Sequence, residues 1–286
     1  MSSGVELVVT RDSFRSRTFA ARASGRRVGL VPTMGSLHEG HLSLLAAARR
    51  ECDLVAMTLF VNPLQFSSAE DLARYPSGLE RDLELAAASG ADVVFAPSTA
   101  EMYPSGEPET RVEPGPLATR LEGASRPGHF AGVATVVTKL VSLAGRCRAY
   151  FGEKDFQQLA IVRRLVADLD LDAEVVACPT VRENDGLACS SRNRRLAGEE
   201  RAAATVLFRA LEVGRDLLAV GAPDAASVAA AMAATVASEP LAKLDYAVVV
   251  DPVTFLSPAV LAGALRLLVA AEVGPVRLID NLGVRA

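Results

Sequence analysis

The sequence predicts an α/β fold, in which a doubly wound, Rossmann-like parallel sheet is followed by a second, smaller α+β domain. Short apolar runs alternate with amphipathic helical segments through the first 180 residues, as βαβ units require. These runs are almost continuous in Val, Ala, Leu and Phe, which is typical of parallel strands covered on both faces. After Val181 the chain becomes Ala-rich and then β-rich. A length of 286 residues suits two domains, which we place at residues 1–180 and 181–286.

The strands of the larger domain are expected at the apolar runs, residues 28–31, 54–61, 91–96, 149–151 and 173–178. Helical periodicity predicts the intervening helices at residues 41–51, 79–89, 133–143 and 155–169. In the smaller domain, the pattern predicts helices at 198–220 and 225–238 and strands at 245–250, 265–271 and 276–280. Doubly wound sheets bind ligands outside the carboxyl ends of their strands, so the residues after each strand form the candidate site.

Composition narrows the class of protein. Half of the residues are hydrophobic, enough for a substantial core, and the formal net charge is −4 without any basic block. We therefore expect no nucleic-acid partner and no membrane partner. The apolar stretches are interrupted before the roughly 18 residues that a membrane span needs, and the N-terminus lacks a signal-peptide pattern. The four cysteines show neither CxxC nor metal-ligand spacing, which indicates reduced thiols in a cytoplasmic protein.

The first chemical motif follows the strand at 28–31 and reads PTMGSLHEGH at residues 32–41. It predicts a glycine-bearing turn and a helix start, whose unpaired backbone N–H groups and partial positive charge suit a phosphate. Gly35 and Gly40 let the backbone turn sharply. A helix start disfavours added positive charge, so His38 and His41 are expected to be neutral, each donating one hydrogen bond. Half of a metal site or a helix cap explains the histidines equally, although no further zinc ligands are suitably spaced.

The second motif is a small-polar loop, DGLACSSRN at residues 185–193. Arg192 supplies a planar fork for phosphate oxygens, and Ser190 and Ser191 supply hydroxyl and N–H groups. Such a run is commonly an ordinary surface turn. It indicates a ligand site only because the first motif occurs in the same chain. Together the two motifs offer what a nucleoside-triphosphate site needs, a phosphate cradle and a mobile cationic clamp.

Two further motifs also follow strands. FGEKDFQQ at residues 151–158 offers Lys154 as a point charge for a phosphate and Asp155 as a ribose or metal ligand. A solvated helix start explains this segment equally well. FVNPLQF at residues 60–66 combines the turn signal Asn62-Pro63 with Gln65 among apolar neighbours. A buried glutamine left unpaired costs roughly 1–3 kcal/mol, so Gln65 is expected to bond to a ligand or to the protein.

With RPGHFAGV at residues 126–133 and RLIDN at 277–281, these motifs resemble the pantothenate synthetase family, the AMP-forming pantoate–β-alanine ligases of the HxGH nucleotidyltransferase superfamily. The matching segments span nearly the whole chain in the expected order. The resemblance implies that ATP activates pantoate to pantoyl adenylate with release of pyrophosphate, and that β-alanine then displaces AMP to give pantothenate. It also implies Mg²⁺ bound chiefly through the ATP phosphates, a C-terminal lid domain and a homodimer.

The resemblance further implies roles for individual residues. His41, His38, Lys154 and Arg192 are the catalytic candidates, acting by positioning and charge stabilisation because neither step needs a protein nucleophile. Contacts to ATP are expected from Met34, Gly35, Ser36, Leu37, His38, Glu39, Gly40, His41, Gly152, Glu153, Lys154, Asp155, Val181, Cys189, Ser190, Ser191 and Arg192. Contacts to pantoate and β-alanine are expected from Gln65 and Gln158, with Pro32, Met34 and Phe60 as apolar walls.

Three positions depart from the family pattern. Cys189 stands where Met is usual, Ser77 stands where an arginine commonly follows Tyr75-Pro76, and Phe156 stands where Tyr or Trp is common. None of these changes removes a residue that the mechanism requires.

Two other functions compete with the ligase. A nucleotidyltransferase that moves AMP onto a phosphate-bearing acceptor would need extra basic residues, whereas the expected acceptor pocket offers Gln65, Gln158 and apolar walls. A catalytically silent nucleotide-binding regulator would be expected to lack His41, Lys154 or Arg192, and all three are present.

Overall fold

A computed structural model describes residues 4–66, 69–73, 75 and 78–286. Ser77, one of the three departures above, lies outside the described residues, as does Pro76. The chain divides into two compact units. The first runs to Glu153 and resumes over Gln157–Pro179, and the second combines Lys154–Phe156 with Thr180–Ala286.

The described part of the first unit is built on six parallel strands: β1 Glu6–Val8, β2 Val28–Thr33, β3 Leu54–Leu59, β4 Val93–Phe95, β5 Cys147–Gly152 and β6 Ala173–Cys178. They are hydrogen-bonded in the order β1-β4-β3-β2-β5-β6. After β2 the chain adds β3 and β4 on one side, and it then adds β5 and β6 on the other. The strand order therefore reverses between β2 and β5, the point where doubly wound sheets bind ligands.

The helices that alternate with these strands, within the described residues, are α1 Arg11–Ala23, α2 Glu39–Glu51, α3 Ala69–Ala73, α4 Leu79–Ala88, α5 Thr99–Met102, α6 Glu122–Ser125, α7 His129–Ala144 and α8 Phe156–Asp168. Short 3-10 turns lie at Pro63–Gln65, Pro116–Thr119 and Glu153–Asp155. The alternation confirms the predicted α/β class. The predicted helices 41–51, 79–89, 133–143 and 155–169 are present, although α7 begins at His129 and α8 follows a 3-10 turn.

The first strand and the first helix were not predicted from the sequence. In β1 only Val8 is buried, so the strand lacks a continuous apolar run. In α1 the buried residues are Phe14, Thr18 and Ala21, a narrow stripe on a helix rich in arginine. That stripe, together with the capping hydroxyl of Thr10, was the available signal for the helix.

The central strands carry the core of the first unit. Residues 28–31 of β2 and 54–58 of β3 are all buried, as their continuous apolar composition predicts. Helix α2 packs against them through Leu44, Leu45 and Ala48. Phe14 of α1 stacks on Phe95 at the end of β4, with ring centroids 4.6 Å apart. These contacts hold the carboxyl ends of the strands in place.

The second unit contains an antiparallel sheet in the order β7-β8-β9, formed by β7 Ala242–Val250, β8 Ala264–Val273 and β9 Val276–Arg285. Its helices are α9 Gly198–Ala203, α10 Val206–Ala219 and α11 Ala225–Ala237, preceded by a 3-10 turn at Ser191–Arg195. This small helix-and-sheet unit confirms the predicted α+β C-terminal part. The single helix expected at 198–220 is wrong, because the chain breaks into α9 and α10 at Ala204-Thr205.

Two findings bear on the class of protein. No helix in the described part of the chain is both long and apolar enough to cross a membrane. All four cysteines are free thiols, and Cys52, Cys147 and Cys178 are buried while Cys189 is half-buried. Burial raises the pKa of the Cys147 thiol to about 12, which keeps it protonated at neutral pH.

Gly132 gives a stability prediction, because it lies inside α7 where the helix crosses the 3-10 turn Pro63–Gln65. A Cβ atom at this position would lie 2.3 Å from the Leu64 carbonyl oxygen and 2.7 Å from the Gln65 nitrogen, which are both backbone atoms. Replacing a helical glycine with alanine usually stabilises a protein by about 1 kcal/mol. We expect Gly132→Ala to lower the free energy of unfolding instead, by about 1–3 kcal/mol, because the added methyl group would overpack this site.

Urea denaturation measures this change. The control is Gly115→Ala, where φ is −69° and no heavy atom lies within 4 Å of an added Cβ, so little change is expected. A Gly132→Ala chain at least as stable as the parent would contradict the close approach.

Candidate active site

The connection from β2 to α2 is the core of the site in the first unit. The strand ends at Thr33, whose hydroxyl donates to the Thr58 carbonyl of β3 at 2.7 Å and accepts from Gly35 N at 3.2 Å. The backbone then takes up two left-handed residues, Gly35 with φ 86° and Ser36 with φ 54°. Glycine is favoured at the first of these because L side chains rarely adopt such a backbone conformation. The chain thereby reverses sharply outside the carboxyl end of β2.

A buried carboxylate holds this turn. Asp82 of α4 is 4% exposed, and its two oxygens accept from Ser36 N and Leu37 N, each at 2.8 Å. A Cβ atom on Gly35 would lie 2.9 Å from Asp82 Oδ2, so the carboxylate excludes a side chain there. Asp82 was not predicted from the sequence as part of the site. Its signal was a charged residue on the apolar side of a helix, next to the buried Ala86 one turn later.

The two histidines cap α2 reciprocally. His38 Nδ1 accepts from Gly40 N at 3.2 Å, and His38 N donates to His41 Nδ1 at 3.4 Å. The rings lie 4.1 Å apart between centroids. Since both Nδ1 atoms accept, each neutral imidazole carries its proton on Nε2. The helix-cap interpretation is therefore correct, and each ring has a donating Nε2–H edge.

The backbone amides of this turn differ from the expectation. The amides of Ser36 and Leu37 donate to Asp82, those of His38 and Gly40 donate to imidazole nitrogens, and that of His41 donates to the His38 carbonyl. The prediction of unpaired N–H groups is wrong for these five residues. A phosphate at this helix start would meet imidazole Nε2–H groups and the partial charge of the helix.

Gln65 is held in place by its neighbours. It is 7% exposed, Nε2 donates to Met34 Sδ at 3.1 Å, and Oε1 accepts from Asn62 Nδ2 at 3.1 Å. The expectation that its side chain is bonded is therefore correct. Pro32 lies half-buried in β2, and Phe60 is buried just after β3. All four residues lie near the carboxyl ends of neighbouring strands, Pro32 and Met34 at β2 and Phe60 and Gln65 after β3.

The segment 126–133, which had no assigned role, fixes the Gln65 backbone. His129 Nδ1 donates to the Gln65 carbonyl at 2.8 Å, and Arg126 Nη2 donates to the same oxygen at 3.3 Å. Arg126 Nη1 lies 3.2 Å from His129 Nε2, which accepts because the proton of this imidazole is on Nδ1. The start of α7 therefore holds the turn that carries Gln65.

The adjacent glutamines at the start of α8 differ in their contacts. Gln157 is buried, and its amide bonds three backbone groups: Glu122 N at 3.1 Å, and the Leu117 and Arg120 carbonyls at 2.8 Å each. Gln158 is half-buried and makes no side-chain hydrogen bond to any residue that the structure describes. Gln157 is therefore structural, and Gln158 is the amide of this pair that can bind a ligand.

In the second unit, Lys154 is tied to the middle of β9. Its side chain is 18% exposed, with Nζ 3.8 Å from Asp155 Oδ1, and its carbonyl accepts from Asn281 Nδ2 at 2.8 Å. Asp280 beside Asn281 forms a bidentate ion pair with Arg182, at 2.6 Å and 3.0 Å. Burial raises the pKa of Asp280, and the Arg182 guanidinium opposes this rise.

The loop around Arg192 is ordered by side chains of the same unit. Ser190 Oγ accepts from Arg192 N at 3.3 Å and caps the 3-10 turn, and Asn193 Nδ2 donates to Glu183 and to the Ala188 carbonyl at 3.0 Å each. The Arg192 guanidinium itself makes no hydrogen bond or ion pair with any described residue. The loop is thus a capped turn on which the Arg192 guanidinium is available to an anion.

The preceding hairpin is also fixed. Arg182 and Ala188 form an antiparallel bridge, and Cys189 N donates to the Val181 carbonyl at 2.9 Å. Arg201 pairs with Glu183 at 2.6 Å and with Asp185 at 2.8 Å. The Arg201 hydrogen bond holds the pKa of the Asp185 carboxyl below its usual range.

The sequence-predicted site residues fall into two groups. Those in the first unit are Pro32, Met34, Gly35, Ser36, Leu37, His38, Glu39, Gly40, His41, Phe60, Gln65, Gly152, Glu153 and Gln158. Those in the second unit are Lys154, Asp155, Val181, Cys189, Ser190, Ser191 and Arg192. Asp82 and His129 were not predicted as site residues, because the groups that they hold are distant in sequence. Asn62 lies three residues from Gln65, but the sequence marks it only as a turn residue.

Comparison with known proteins decides the family. The model of the Pantoate-beta-alanine ligase family matches residues 6–283. The chain belongs to the pantoate–β-alanine ligase family. It is accordingly an amide-forming ligase of the class that makes pantothenate.

Individual relatives of the pantoate–β-alanine ligase family agree over nearly the full length. The chain is 50% identical to a pantothenate synthetase of Moorella thermoacetica, over 97% of this chain and 98% of the relative. It is 54% identical to that of Deinococcus radiodurans, over 92% and 95% of the two chains.

Solved structures give the same result. A pantothenate synthetase of Thermus thermophilus matches with a TM-score of 0.90 and 47% identity, over 97% of this chain and 99% of that one. A pantoate-beta-alanine ligase of Francisella tularensis, complexed with beta-gamma ATP and beta-alanine, matches with a TM-score of 0.80 and 34% identity, over 97% of each chain.

Asp82 gives a prediction for this site. In Asp82→Asn, one oxygen can still accept, but the new NH₂ group faces a backbone N–H that then has no acceptor. We expect the free energy of unfolding to fall by about 1–3 kcal/mol and KM for ATP to rise about tenfold, because the turn carrying the imidazoles loosens.

Urea denaturation and steady-state kinetics check both effects. The control is Asp53→Asn, an exposed carboxylate that accepts from Arg27 N at 2.8 Å. If Asp82→Asn changed the free energy of unfolding and KM for ATP as little as Asp53→Asn does, Asp82 would have no special role in holding the turn.

Proposed function

We propose that this chain condenses pantoate with β-alanine to pantothenate, with ATP converted to AMP and pyrophosphate. The observation that carries the proposal is the pair of imidazoles held as Nε2–H donors at the start of α2, where the strand order reverses, in a chain of this family. Neutral donors at a helix start stabilise negative charge that grows on phosphate oxygens, and they do so without a protein nucleophile.

The reaction proceeds in two steps. The pantoate carboxylate attacks the α-phosphorus of ATP, a P–O bond forms, and the bond to pyrophosphate breaks. The free amine of β-alanine then attacks the acyl carbon of pantoyl adenylate, the amide C–N bond forms, AMP leaves, and one proton is released from nitrogen. Both steps depend on holding the reactants in line and on stabilising charge at phosphorus.

The phosphates of ATP are assigned to cationic and donor groups. His38 and His41 donate to phosphate oxygens, Lys154 acts as a point charge, and Arg192 provides a planar fork. The backbone and side chains around them supply the remaining ATP contacts, at Met34, Gly35, Ser36, Leu37, Glu39, Gly40, Gly152, Glu153, Asp155, Val181, Cys189, Ser190 and Ser191. The lack of a described protein partner for the Arg192 guanidinium supports its assignment.

Pantoate is assigned to the two glutamines. Gln65 and Gln158 bond its hydroxyl and carboxylate, with Gln65 also near β-alanine, and Pro32, Met34 and Phe60 surround its methyl groups. The contrast between Gln157, whose amide is used by backbone groups, and Gln158 supports this choice. Residues 1–180 serve as the domain that binds ATP and pantoate, and residues 181–286 serve as the lid.

Mg²⁺ is assigned to the nucleotide. The described residues contain no group of three or more His, Cys, Asp and Glu side chains that could hold a metal ion. This suits an ion that enters with ATP and keeps phosphate and water ligands. We also propose a homodimer and a cytoplasmic location, and the free thiols support the latter.

Pyrophosphate release tests the function. The protein is incubated with ATP and Mg²⁺, with or without pantoate, and in the absence of β-alanine. Pantoate-dependent release, followed by AMP and pantothenate only after β-alanine is added, is the expected result. Release triggered by a phosphorylated acceptor instead of pantoate would sink the substrate assignment and favour a nucleotidyltransferase.

Lys154 gives a prediction for the first step. We expect Lys154→Ala to slow adenylate formation by about 10²–10³-fold, because one charge partner of the transition state is lost.

Gln158→Ala should instead raise KM for pantoate far more than KM for ATP. Rapid-quench measurement of pyrophosphate separates the two effects.

The matched control for Lys154 is Lys243→Ala, which removes an exposed lysine of the same unit whose partner is Glu272 at 3.5 Å. Near-normal pyrophosphate release by Lys154→Ala would refute its phosphate role. Equal effects of Gln158→Ala on both substrates would make Gln158 structural.

A further inference from the structure

Tyr103 is a buried tyrosine outside every motif that the sequence analysis identified. It follows α5 and is 4% exposed, and its ring lies 6.0 Å from that of Phe60 between centroids. Its hydroxyl lies 2.8 Å from Asn62 Oδ1, and Asn62 is fully buried. A buried hydrogen bond of this kind restricts the orientation of both partners.

The backbone fixes which end of the Asn62 amide faces Tyr103. The Gly132 carbonyl can only accept, so the Asn62 NH₂ group faces it at 3.0 Å. The Leu64 N–H can only donate, so Asn62 Oδ1 faces it at 3.4 Å. Tyr103 therefore donates to that oxygen. Burial also raises the pKa of Tyr103 far above neutral, so the phenol keeps the proton that it donates.

Asn62 in turn orients Gln65. The Asn62 NH₂ group donates to Gln65 Oε1 at 3.1 Å, which turns the Gln65 NH₂ group away from Asn62 and toward Met34 Sδ at 3.1 Å. A thioether is a weak acceptor. The second hydrogen of this NH₂ group has no acceptor among the described residues. Gln65 thus presents a donor, and not its carbonyl oxygen, on the side that faces Met34.

We propose that Tyr103 is a positioning residue for pantoate, because its short hydrogen bond adds to the two backbone contacts that orient the Asn62 amide, which in turn directs the Gln65 NH₂ group toward an accepting oxygen of the substrate. The proposal rests on the proposed function of the site. If the Gln65 amide were reversed, its carbonyl oxygen would face the substrate oxygen, and no hydrogen bond would form unless the substrate supplied a proton. The Tyr103 hydroxyl therefore acts on pantoate affinity without touching pantoate.

The test is Tyr103→Phe, which keeps the ring against Phe60 and removes only the donor. The loss of one buried hydrogen bond predicts a rise in KM for pantoate of about fivefold to tenfold, with KM for ATP changed less than about twofold. In a Gln65→Ala background, Tyr103→Phe should cause no further rise, because the group that it orients is gone.

The matched control is Tyr150→Phe. Tyr150 is fully buried in the same unit, and its hydroxyl donates to Glu51 Oε2 at 2.8 Å. This variant loses a comparable hydroxyl that has no connection to Gln65, so it should leave both KM values unchanged.

Several outcomes would overturn the proposal while leaving the ligase function intact. They are equal rises in both KM values for Tyr103→Phe, no difference from Tyr150→Phe, or an effect that multiplies with that of Gln65→Ala.

If Tyr103→Phe does not fold, Asn62→Asp makes the same test. It keeps the acceptor for Tyr103 but removes the NH₂ group that orients Gln65, and the same pantoate-selective rise is expected. A parent protein without pantoate-dependent pyrophosphate release would instead overturn the proposed function.

Discussion

The two hydrogen bonds from Ser36 N and Leu37 N to the buried Asp82 carboxylate are the constraint on which the site in the first unit depends. The turn after β2 uses two successive left-handed residues, and its inward amides would be costly to bury without an acceptor. One carboxylate satisfies both amides and leaves no room for a side chain on Gly35. The start of α2 is thereby set, and with it the positions of both imidazoles.

A negative charge beneath a proposed phosphate site is at first sight unfavourable. The two Asp82 oxygens, however, accept from the backbone amides of Ser36 and Leu37. The start of α2 adds a partial positive charge, and the capping bonds fix the Nε2–H tautomer of His38 and His41. The donors assigned to a phosphate are therefore side-chain groups. A site built this way loses its donors when either imidazole rotates, whereas a glycine-rich backbone cradle would not.

Much of the fold could be predicted from the sequence, because the central strands are buried on both faces and so have continuous apolar runs. Strand β1 and helix α1 bury too few residues to give such a signal. The break between α9 and α10 falls in an alanine-rich stretch, where most residues favour helix and no Gly or Pro marks an end. For the candidate site, the strand-end motifs predict the imidazoles and Gln65, and their binding roles stay predictions. The partners Asp82, Tyr103 and His129 are each separated by 41 or more residues from the groups that they hold, and no local pattern reveals them.

The segment Lys154–Phe156 shows most clearly how packing overrides chain order. It follows β5 directly, yet it belongs to the second unit. Phe156 stacks on Phe255 with centroids 5.6 Å apart, and the Arg266 guanidinium lies 3.9 Å from its ring centroid. An aromatic ring is all that this contact needs, so Phe156 makes it without a hydroxyl or an indole N–H. Because Asn281 also bonds the Lys154 carbonyl, Lys154 is held by the same unit that carries Arg192. Both cations proposed for the phosphates thus belong to the second unit, whereas both imidazoles belong to the first.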